Sequence, residues 1–284
     1  MAYEKISGFS DEISSDTTVQ FETLKKLGIE YFEPRGIDGK NISELTLDEA
    51  KDLKNKMDSY GIKVSSIGSP IGKIKLSDDF ESHFEVFKHI CSVAKILGAS
   101  YIRIFSFYHD GDVWTDEERS LVIERLSKFI SYAKINSIVL LHENEKDIYG
   151  DNTERCKDLF DNLYCDNFKG VFDPANFVQC GVDTKDAFDT LHKFIEYVHI
   201  KDALADGRVV PSGHGSGNVE YILENLFKAG YGGYLSLEPH LGSFEGLSDL
   251  ELGDEMEILP KSSEGTFIIA YNALCEILKN IGIE

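Results

Sequence analysis

One unit recurs along this chain: a segment with helical amphipathic periodicity, then a glycine, then a short run of β-forming apolar residues. The unit is clearest around four glycines, which are Gly28, Gly61, Gly98 and Gly230. Glycine adopts the left-handed conformation at a helix C-terminus more readily than other residues, so each position predicts a helix end followed by a strand. The repeat favours parallel strand–helix units over the strands of a sandwich.

Eight candidate strands alternate with eight helical segments, and the strands are 6–10, 29–33, 63–67, 101–105, 137–143, 170–173, 197–201 and 234–238. This count predicts an α/β fold, a closed (β/α)8 TIM barrel, and the 284 residues suit a single domain spanning 1–284. An open doubly wound sheet would normally carry a GxGxxG fingerprint in its first turn, and the first predicted turn carries none.

Two loops stand out by their composition. The glycine-rich stretch 213–217, which contains His214, follows a loop and lacks a downstream acidic partner, so it is interpreted as a flexible active-site loop rather than a dinucleotide site. The acidic stretch 242–263 is long and poorly periodic, and it precedes a predicted final helix at 266–278. Two interpretations of this second stretch are open, a lid over the site and a solvated loop.

The charge balance argues against several classes of partner. Its 50 acidic and 29 basic residues give a net charge of −21, and such a surface repels nucleic acid and anionic membranes at long range. The first nine residues lack the features of a signal peptide, and no window approaches a membrane-spanning apolar run. The five cysteines include no CxxC pair, which argues against a disulfide framework or a thiolate zinc site. We expect a soluble cytoplasmic protein.

Four of the predicted strands end in an ionisable residue, and these residues are Glu143, Asp173, His199 and Glu238. Because side chains alternate across a strand, each lies on the same face as the residue two positions earlier, as Glu143 does with the apolar Leu141. We therefore expect all four to point inward at the mouth of the barrel, where TIM barrels keep their active sites.

Three carboxylates and one imidazole at a buried mouth predict a metal site. Like charges and burial both disfavour ionised carboxylates, so a divalent cation is needed to compensate them. Oxygen-rich ligation with one imidazole favours Mn²⁺ or Mg²⁺, with Co²⁺ or Zn²⁺ as further candidates, and open coordination positions would accept two substrate oxygens.

With these motifs the chain resembles the sugar phosphate isomerase/epimerase family, the xylose-isomerase-like barrels that include ketose 3-epimerases, hydroxypyruvate isomerases, inosose dehydratases and endonuclease IV. The resemblance is carried by residues 141–144, 172–177, 198–203 and 230–239, of which the last two stretches are the most specific. It implies one metal ion held by Glu143, Asp173, His199 and Glu238. It also implies that the two glutamates flank a bound sugar, one taking a proton and the other returning it.

The resemblance leaves the reaction open among several classes. An isomerase and a 3-epimerase share an enediolate intermediate and differ in the carbon that regains the proton. A dehydratase of the inosose or dehydroshikimate type would use the same metal and base but expel a hydroxyl group. An abasic-site endonuclease is disfavoured by the acidic surface and by the additional histidine ligands of that branch, and a non-catalytic carbohydrate-binding barrel is the remaining alternative.

Further polar residues are candidates for substrate binding. Asn176 stands where ketohexose 3-epimerases of the family carry a histidine, and Arg208 is the nearest candidate for an arginine that they carry after the metal histidine. Arg103 and Glu33 lie near strand ends and would bind substrate hydroxyls or pair with each other. Lys201 would bind a substrate oxygen or a neighbouring carboxylate.

Trp114 would stack on a sugar or pack against a helix cap. Few basic residues cluster at the strand ends, so the expected substrate is an unphosphorylated sugar or polyol. By resemblance to the family, a homodimer or tetramer is expected.

Overall fold

The computed structural model describes residues 3–109, 111, 113–241 and 263–283. Within these residues there are thirteen strands: β1 (Ile6–Gly8), β2 (Tyr31–Phe32), β3 (Gly36–Ile37), β4 (Lys40–Asn41), β5 (Lys63–Val64), β6 (Ile67–Gly68), β7 (Tyr101–Ile104), β8 (Val139–Glu143), β9 (Phe168–Phe172), β10 (Ile195–Ile200), β11 (Asp202–Ala203), β12 (Val209–Val210) and β13 (Tyr234–Leu237). The α-helices of the same residues are α1 (Thr17–Lys26), α2 (Leu47–Tyr60), α3 (Phe80–Leu97), α4 (Asp116–Ile135), α5 (Thr153–Leu163), α6 (Pro174–Gln179), α7 (Thr184–Leu191), α8 (Val219–Lys228) and α9 (Ser263–Asn280). Short 3-10 turns occupy Ser10–Glu12, Ile42–Glu44 and His192–Phe194.

The strands form a closed parallel barrel surrounded by helices. Seven of them make one sheet in the order β1-β13-β10-β9-β8-β7-β6, and every pairing in it is parallel. The ring closes through β2, which pairs in parallel with β5, and through Glu33, whose N–H donates to Gly8 O at 2.9 Å. The predicted α/β TIM barrel is confirmed.

The predicted third strand, 63–67, is interrupted and appears as β5 and β6. Its neighbour changes along its length, because β5 pairs with β2 whereas β6 pairs with β7. The Gly68 N–H also donates to Pro34 O at 2.9 Å, so the segment stays beside the second strand while it shifts partner. Two antiparallel hairpins, β3-β4 and β11-β12, were not predicted and extend from the carboxyl ends of the second and seventh barrel strands.

The helix ends follow the glycine pattern of the sequence. Gly61 and Gly98 are the C-caps of α2 and α3, with φ angles of 73° and 76°. A side chain at either position would meet no atom within 4 Å, so the left-handed backbone rather than crowding is what requires glycine there. At their starts, α2 and α4 carry complete capping boxes from Thr46 with Glu49 and from Thr115 with Glu118.

Two of the buried apolar groups lie on opposite sides of the barrel strands. The larger one fills the space between the barrel and its outer helices. The smaller one lies inside the barrel and consists of the buried residues Leu141, Val171 and Tyr197, each two positions before a predicted site residue. This inner layer confirms that side chains alternate along the strands in the way that predicted inward-pointing site residues. The layer lies directly beneath the site residues at the mouth of the barrel.

The described helices include none with the length and apolar character needed to cross a membrane. The final helix runs from Ser263 to Asn280, slightly longer at both ends than predicted. The loop predicted at 242–263 lies outside the described residues except for its last position, so neither interpretation of it is tested.

Candidate metal centre

The four predicted ligands lie together, buried, at the carboxyl end of the barrel. Glu143 is the last residue of β8, and His199 is the penultimate residue of β10. Asp173 and Glu238 directly follow β9 and β13. One ligand atom from each residue lies within 4.8 Å of the ligand atoms of the other three. This distance is short enough for a single ion to contact all four.

His199 is at the centre of the cluster. Its Nδ1 atom lies 2.9 Å from Glu143 Oε1, 3.4 Å from Glu238 Oε2 and 3.9 Å from Asp173 Oδ2. Burial lowers the pKa of the imidazole, but Glu143 and Glu33 outweigh it and hold that pKa well above its usual value. Without a metal ion, a proton on His199 therefore supplies the positive charge that the carboxylates need.

Two buried cations complete the charge balance of the cluster. Arg103 Nη1 donates to Glu143 Oε2 at 2.6 Å, and Lys201 Nζ lies 2.8 Å from Asp173 Oδ2 and 3.1 Å from Glu238 Oε2. Of the two outcomes predicted for Lys201, the structure has the one in which it pairs with neighbouring carboxylates. Arg103 pairs with Glu143 and not with Glu33, so the predicted alternative of an Arg103–Glu33 pair is wrong.

The three carboxylates differ in how readily they ionise. Burial opposes ionisation of Glu143, yet His199 and Arg103 hold its pKa below the usual range. Burial acts likewise on Glu238, but Lys201 and His199 place its pKa well below normal. For Asp173, burial prevails over Lys201 and raises the pKa to about 7. The two glutamates are therefore ionised at neutral pH, whereas Asp173 is near its midpoint.

Two asparagines fix the backbone around Asp173. Asn144 exchanges a pair of hydrogen bonds with the backbone of Asp173, both at 2.9 Å. Asn176 donates its backbone N–H to Asp173 Oδ1 at 2.9 Å and its side-chain amide to Glu143 Oε1 at 3.2 Å. The predicted substrate residue Asn176 thus lies inside the cluster and holds two of its members.

A second group of residues was missed by sequence reasoning. Arg35 Nη1 donates to Glu238 Oε1 at 3.2 Å, and the same guanidinium binds Asp11 and Glu12. His240 Nε2 lies 3.4 Å from Glu238 Oε1. Arg35 follows β2 by three residues, too far beyond the strand end for the strand-end rule that identified the other site residues.

Glu12, Glu238 and His240 also bring ligand atoms within 4.8 Å of one another. The Arg35 guanidinium lies among them, 3.3 Å from Glu12, 3.2 Å from Glu238 and 3.5 Å from His240. Burial, with Glu238 nearby, raises the pKa of Glu12 to about 7. Because the arginine already supplies the cation, this group supports Glu238 and is not counted here as a metal site.

Glu33 lies inside the barrel, below the cluster, and is buried. Its Oε2 atom accepts hydrogen bonds from the hydroxyls of Tyr197 and Ser236, both at 2.8 Å, and lies 3.4 Å from His199 Nε2. The strand end was predicted correctly, but the contacts of Glu33 are with protein groups.

Three predicted residues lie apart from the cluster in the described part of the chain. Arg208 is on the turn of the β11-β12 hairpin, 74% exposed, and binds Asp206 at 2.8 Å. Trp114 precedes α4, where its ring stacks on His109 at 4.1 Å and meets the Tyr149 ring edge-on at 5.0 Å. The side chain of His214 is exposed.

The glycine-rich loop 213–217 is held in place rather than free, which corrects the prediction of a flexible loop. The buried carboxylate of Asp202 accepts the backbone N–H groups of Gly213, Gly215 and Gly217 at 2.8 to 3.0 Å. A Cβ atom on Gly215 would lie 2.2 Å from Asp202 Oδ1, so glycine is required for this close approach. The sequence feature that could have indicated this contact is Asp202, the acidic residue directly after Lys201.

The donor set fits a divalent cation. Three carboxylates and one imidazole converge in a buried site, and His199 presents one ring nitrogen to them while its other nitrogen faces a different carboxylate. Such a set suits a hard or borderline divalent ion, whose charge would replace the proton on His199.

Comparisons with known proteins agree with this description. The model of a family described as xylose isomerase-like TIM barrel matches residues 21–261. No curated protein sequence matches the chain. Solved structures are similar in fold at low identity, among them the three that follow. One, titled IOLI protein with a binding zinc atom, has a TM-score of 0.75 at 18% identity and covers 97% of this chain and 98% of that chain.

The second structure is L-ribulose 3-epimerase, with a TM-score of 0.73, 18% identity and coverage of 99% of this chain and 96% of that chain. The third is the probable 3-DHS dehydratase AsbF from Bacillus anthracis, with a TM-score of 0.69, 19% identity and coverage of 82% of this chain and 92% of that chain. At these identities the three likenesses concern the fold.

Proposed function

This chain belongs to the xylose isomerase-like TIM barrel family, and we propose that it is a divalent-metal-dependent isomerase or epimerase of a sugar or a related polyol or keto compound. The observation that carries the proposal is the convergence of Glu143, Asp173, His199 and Glu238 within 4.8 Å at the barrel mouth. In the metal-free cluster, Arg103, Lys201 and a protonated His199 offset the three carboxylates. What favours an ion is the convergence of four donor side chains on one point.

In this proposal the four residues hold one ion, with Mn²⁺ or Mg²⁺ favoured and Co²⁺ or Zn²⁺ as further candidates. When bound, the ion would supply a Lewis acid that polarises the carbonyl and the adjacent hydroxyl of the substrate and so acidifies the neighbouring C–H group. Everything else in the reaction is assigned to side chains of this chain.

Glu143 and Glu238 are the proposed acid and base. Burial by itself would raise the pKa of each carboxyl group. His199 and Arg103 nevertheless hold the pKa of Glu143 below the usual range, and Lys201 and His199 do the same for Glu238, so both are ionised and can accept a proton. One glutamate takes the proton from the substrate carbon, and the other, which first takes up a proton from solvent, delivers its proton to the resulting anion. Return to the same carbon from the opposite face gives an epimer, whereas return to the neighbouring carbon gives an isomer.

Arg103, Lys201 and Asn176 are the proposed substrate contacts, since each already lies within 3.2 Å of a cluster carboxylate. Arg208 and Trp114 would join them only if their loops moved toward the mouth. The cations near the cluster are matched by carboxylates, which are Asp11, Glu12, Glu33, Glu143, Asp173 and Glu238. With little surplus positive charge, the site favours a neutral, unphosphorylated sugar or polyol.

A dehydratase is the second candidate. The Lys201 ammonium lies 3.1 Å from Glu238 Oε2, so a cation is available next to a proposed base to hydrogen-bond a departing hydroxyl. In that reaction the first proton transfer is unchanged. The hydroxyl on the next carbon then takes up the proton that the glutamate removed and leaves as water, in place of reprotonation of carbon. The product is a conjugated carbonyl compound with a new ultraviolet absorbance.

The test combines metal analysis with proton exchange. The purified protein is analysed for metals, and solvent deuterium incorporation into a panel of unphosphorylated ketoses is followed for the wild type and for Glu143→Gln. Metal-dependent exchange that Glu143→Gln abolishes supports the proposal. Bound metal without exchange, together with a new conjugated absorbance from a polyol ketone, would favour the dehydratase. The expected homodimer or tetramer is measured by light scattering on the same sample.

A further inference from the structure

Glu33 is a buried carboxylate that faces His199 from a side other than the four-residue cluster. Nδ1 of the imidazole faces Glu143, Asp173 and Glu238, whereas Nε2 lies 3.4 Å from Glu33 Oε2. Each nitrogen of the ring therefore faces a different carboxylate. Both side chains are essentially inaccessible to solvent, with exposures of 0%.

The position of Glu33 is fixed by hydroxyl groups. Tyr197 and Ser236 each donate to its Oε2 atom at 2.8 Å, and Tyr197 is itself hydrogen-bonded to Ser65 at 2.8 Å. Within the described residues, neither His199 Nε2 nor Glu33 Oε1 has a hydrogen-bond partner. The acceptor beside the unpartnered Nε2 atom is Glu33 Oε2 at 3.4 Å, and a small approach of the two atoms would complete the hydrogen bond that a buried donor needs.

The imidazole is also held by aromatic rings. Phe9 packs edge-on against His199 at 5.2 Å, and Tyr197 does so at 5.7 Å. These contacts limit rotation of the imidazole ring. The remaining freedom is the choice of which nitrogen carries the proton when the other coordinates an ion.

We propose that Glu33 is the positioning residue of the metal centre, which accepts the N–H of His199 Nε2 and thereby directs the lone pair of Nδ1 toward the ion. A histidine that binds a metal ion must present a lone pair at one nitrogen, and a carboxylate at the other nitrogen selects that tautomer and strengthens the ligand. This role replaces the earlier expectation that Glu33 contacts substrate. The inference rests on the metal site of the proposed function but not on its reaction.

The experiment measures metal affinity in the absence of any sugar, where a substrate contact would have no effect. Metal-free wild type, Glu33→Gln, Glu33→Ala and Thr184→Val are titrated with Mn²⁺ and, separately, with Zn²⁺ by calorimetry. Thr184 is the control, because it is buried like Glu33 but its hydroxyl accepts a hydrogen bond from Asn218 Nδ2 at 2.8 Å, outside the network around His199. Circular dichroism establishes that each variant is folded.

We expect Thr184→Val to bind the metals within about twofold of the wild type, and Glu33→Ala to bind them about 10- to 100-fold more weakly. Glu33→Gln keeps an acceptor of the same shape but loses the charge, so it should fall between the two. If Glu33→Ala does not fold, the isosteric Glu33→Gln still provides the comparison.

A second readout follows the tautomer directly. In ¹⁵N-histidine-labelled protein loaded with Zn²⁺, long-range ¹H–¹⁵N spectra should show His199 protonated at Nε2 in the wild type and mixed or exchange-broadened in Glu33→Ala. Equal metal affinity and an unchanged His199 signal in Glu33→Ala and Thr184→Val would overturn the inference. Failure of the wild type to bind either metal would instead count against the proposed function itself.

Discussion

Lys201 Nζ lies 2.8 Å from Asp173 Oδ2, and both side chains are buried at the mouth of the barrel. The ammonium group of Lys201 is therefore paired with a carboxylate oxygen of Asp173 that a metal ion would also bind. Lys201 stabilises the metal-free cluster and competes for the same lone pairs once an ion arrives, so removing it should affect the two states in opposite directions.

Lys201→Met is expected to lower the free energy of unfolding of the metal-free protein by about 3–5 kcal/mol, because it leaves a buried carboxylate without its cation. The same variant should gain more thermal stability from Mn²⁺ than the wild type does. Urea unfolding in chelator and in Mn²⁺ measures both effects. Lys228→Met, which removes an exposed pair with Glu224, is the control and should change stability by less than about 1 kcal/mol. An identical response of the two variants would contradict the expectation.

Metal binding should release protons. His199 has a pKa well above its usual value, since Glu143 and Glu33 outweigh the opposing effect of burial, and burial raises the pKa of Asp173 to about 7. At pH 7 an incoming ion must displace the proton on His199 Nδ1 and the fraction of a proton on Asp173, so we expect roughly one to two protons released. Affinity should accordingly weaken as the pH falls. Calorimetry in buffers of different ionisation enthalpy counts the protons, and a count of zero would rule out this linkage.

Arg103 should set the acidic limit of activity. Burial raises the pKa of Glu143, but His199 and Arg103 together lower it below the usual range. Arg103→Gln removes one of the two cations, so Glu143 should become protonated at a higher pH and the acidic limb of the deuterium-exchange profile should move up by about one unit, equivalent to about 1.4 kcal/mol. Arg103→Lys keeps a charge and should shift the limb less. A profile that Arg103→Gln leaves in place would exclude this role.

Asp202 should be a stability determinant through the glycine-rich loop. Asp202→Ala leaves the N–H groups of Gly213, Gly215 and Gly217 without their acceptor. Since each buried, unsatisfied donor costs about 1–3 kcal/mol and water will reach some of them, we expect a loss of roughly 3 kcal/mol in urea unfolding. Asp206→Ala removes an exposed aspartate of the neighbouring hairpin, which binds Arg208, and should be nearly neutral. Equal stability of the two variants would mean that the loop does not depend on Asp202.

His83 should contribute to acid destabilisation. Its Nε2 atom accepts the N–H of Gly72 at 2.9 Å, which requires the neutral ring, and burial together with Arg125 lowers its pKa to about 4. The unfolded state, with a histidine pKa near 6.5, then binds a proton that the native state does not between about pH 6.5 and 4. Stability contributed by the neutral ring is present above this window and is lost as the pH falls through it.

The measurement for His83 is the slope of unfolding free energy against pH. His83→Gln should reduce that slope between about pH 6.5 and 4 by up to one proton, because glutamine accepts the Gly72 hydrogen bond without titrating. His214→Gln, at an exposed position, serves as the control and should keep the wild-type slope. Parallel curves for all three proteins would show that His83 is not involved.

The sequence by itself determined the barrel and the four clustered residues. Glycines such as Gly61 and Gly98 marked helix ends because their left-handed backbone is a local requirement. Alternation along a strand is also local, so Leu141 indicated the direction of Glu143. Parallel strands in a barrel bring their carboxyl ends to one mouth, and this rule was enough to predict that Glu143, Asp173, His199 and Glu238 meet.

Only the tertiary structure decided which partners surround that cluster. Arg35 reaches Glu238 from the segment between β2 and β3, Arg103 binds Glu143 rather than Glu33, and Arg208 lies exposed on a hairpin turn. Pairings of this kind depend on the register between neighbouring strands and on the paths of the loops beyond them. Strand register and loop paths are set by contacts between residues far apart in the chain, so they cannot be predicted from the local periodicity of the sequence.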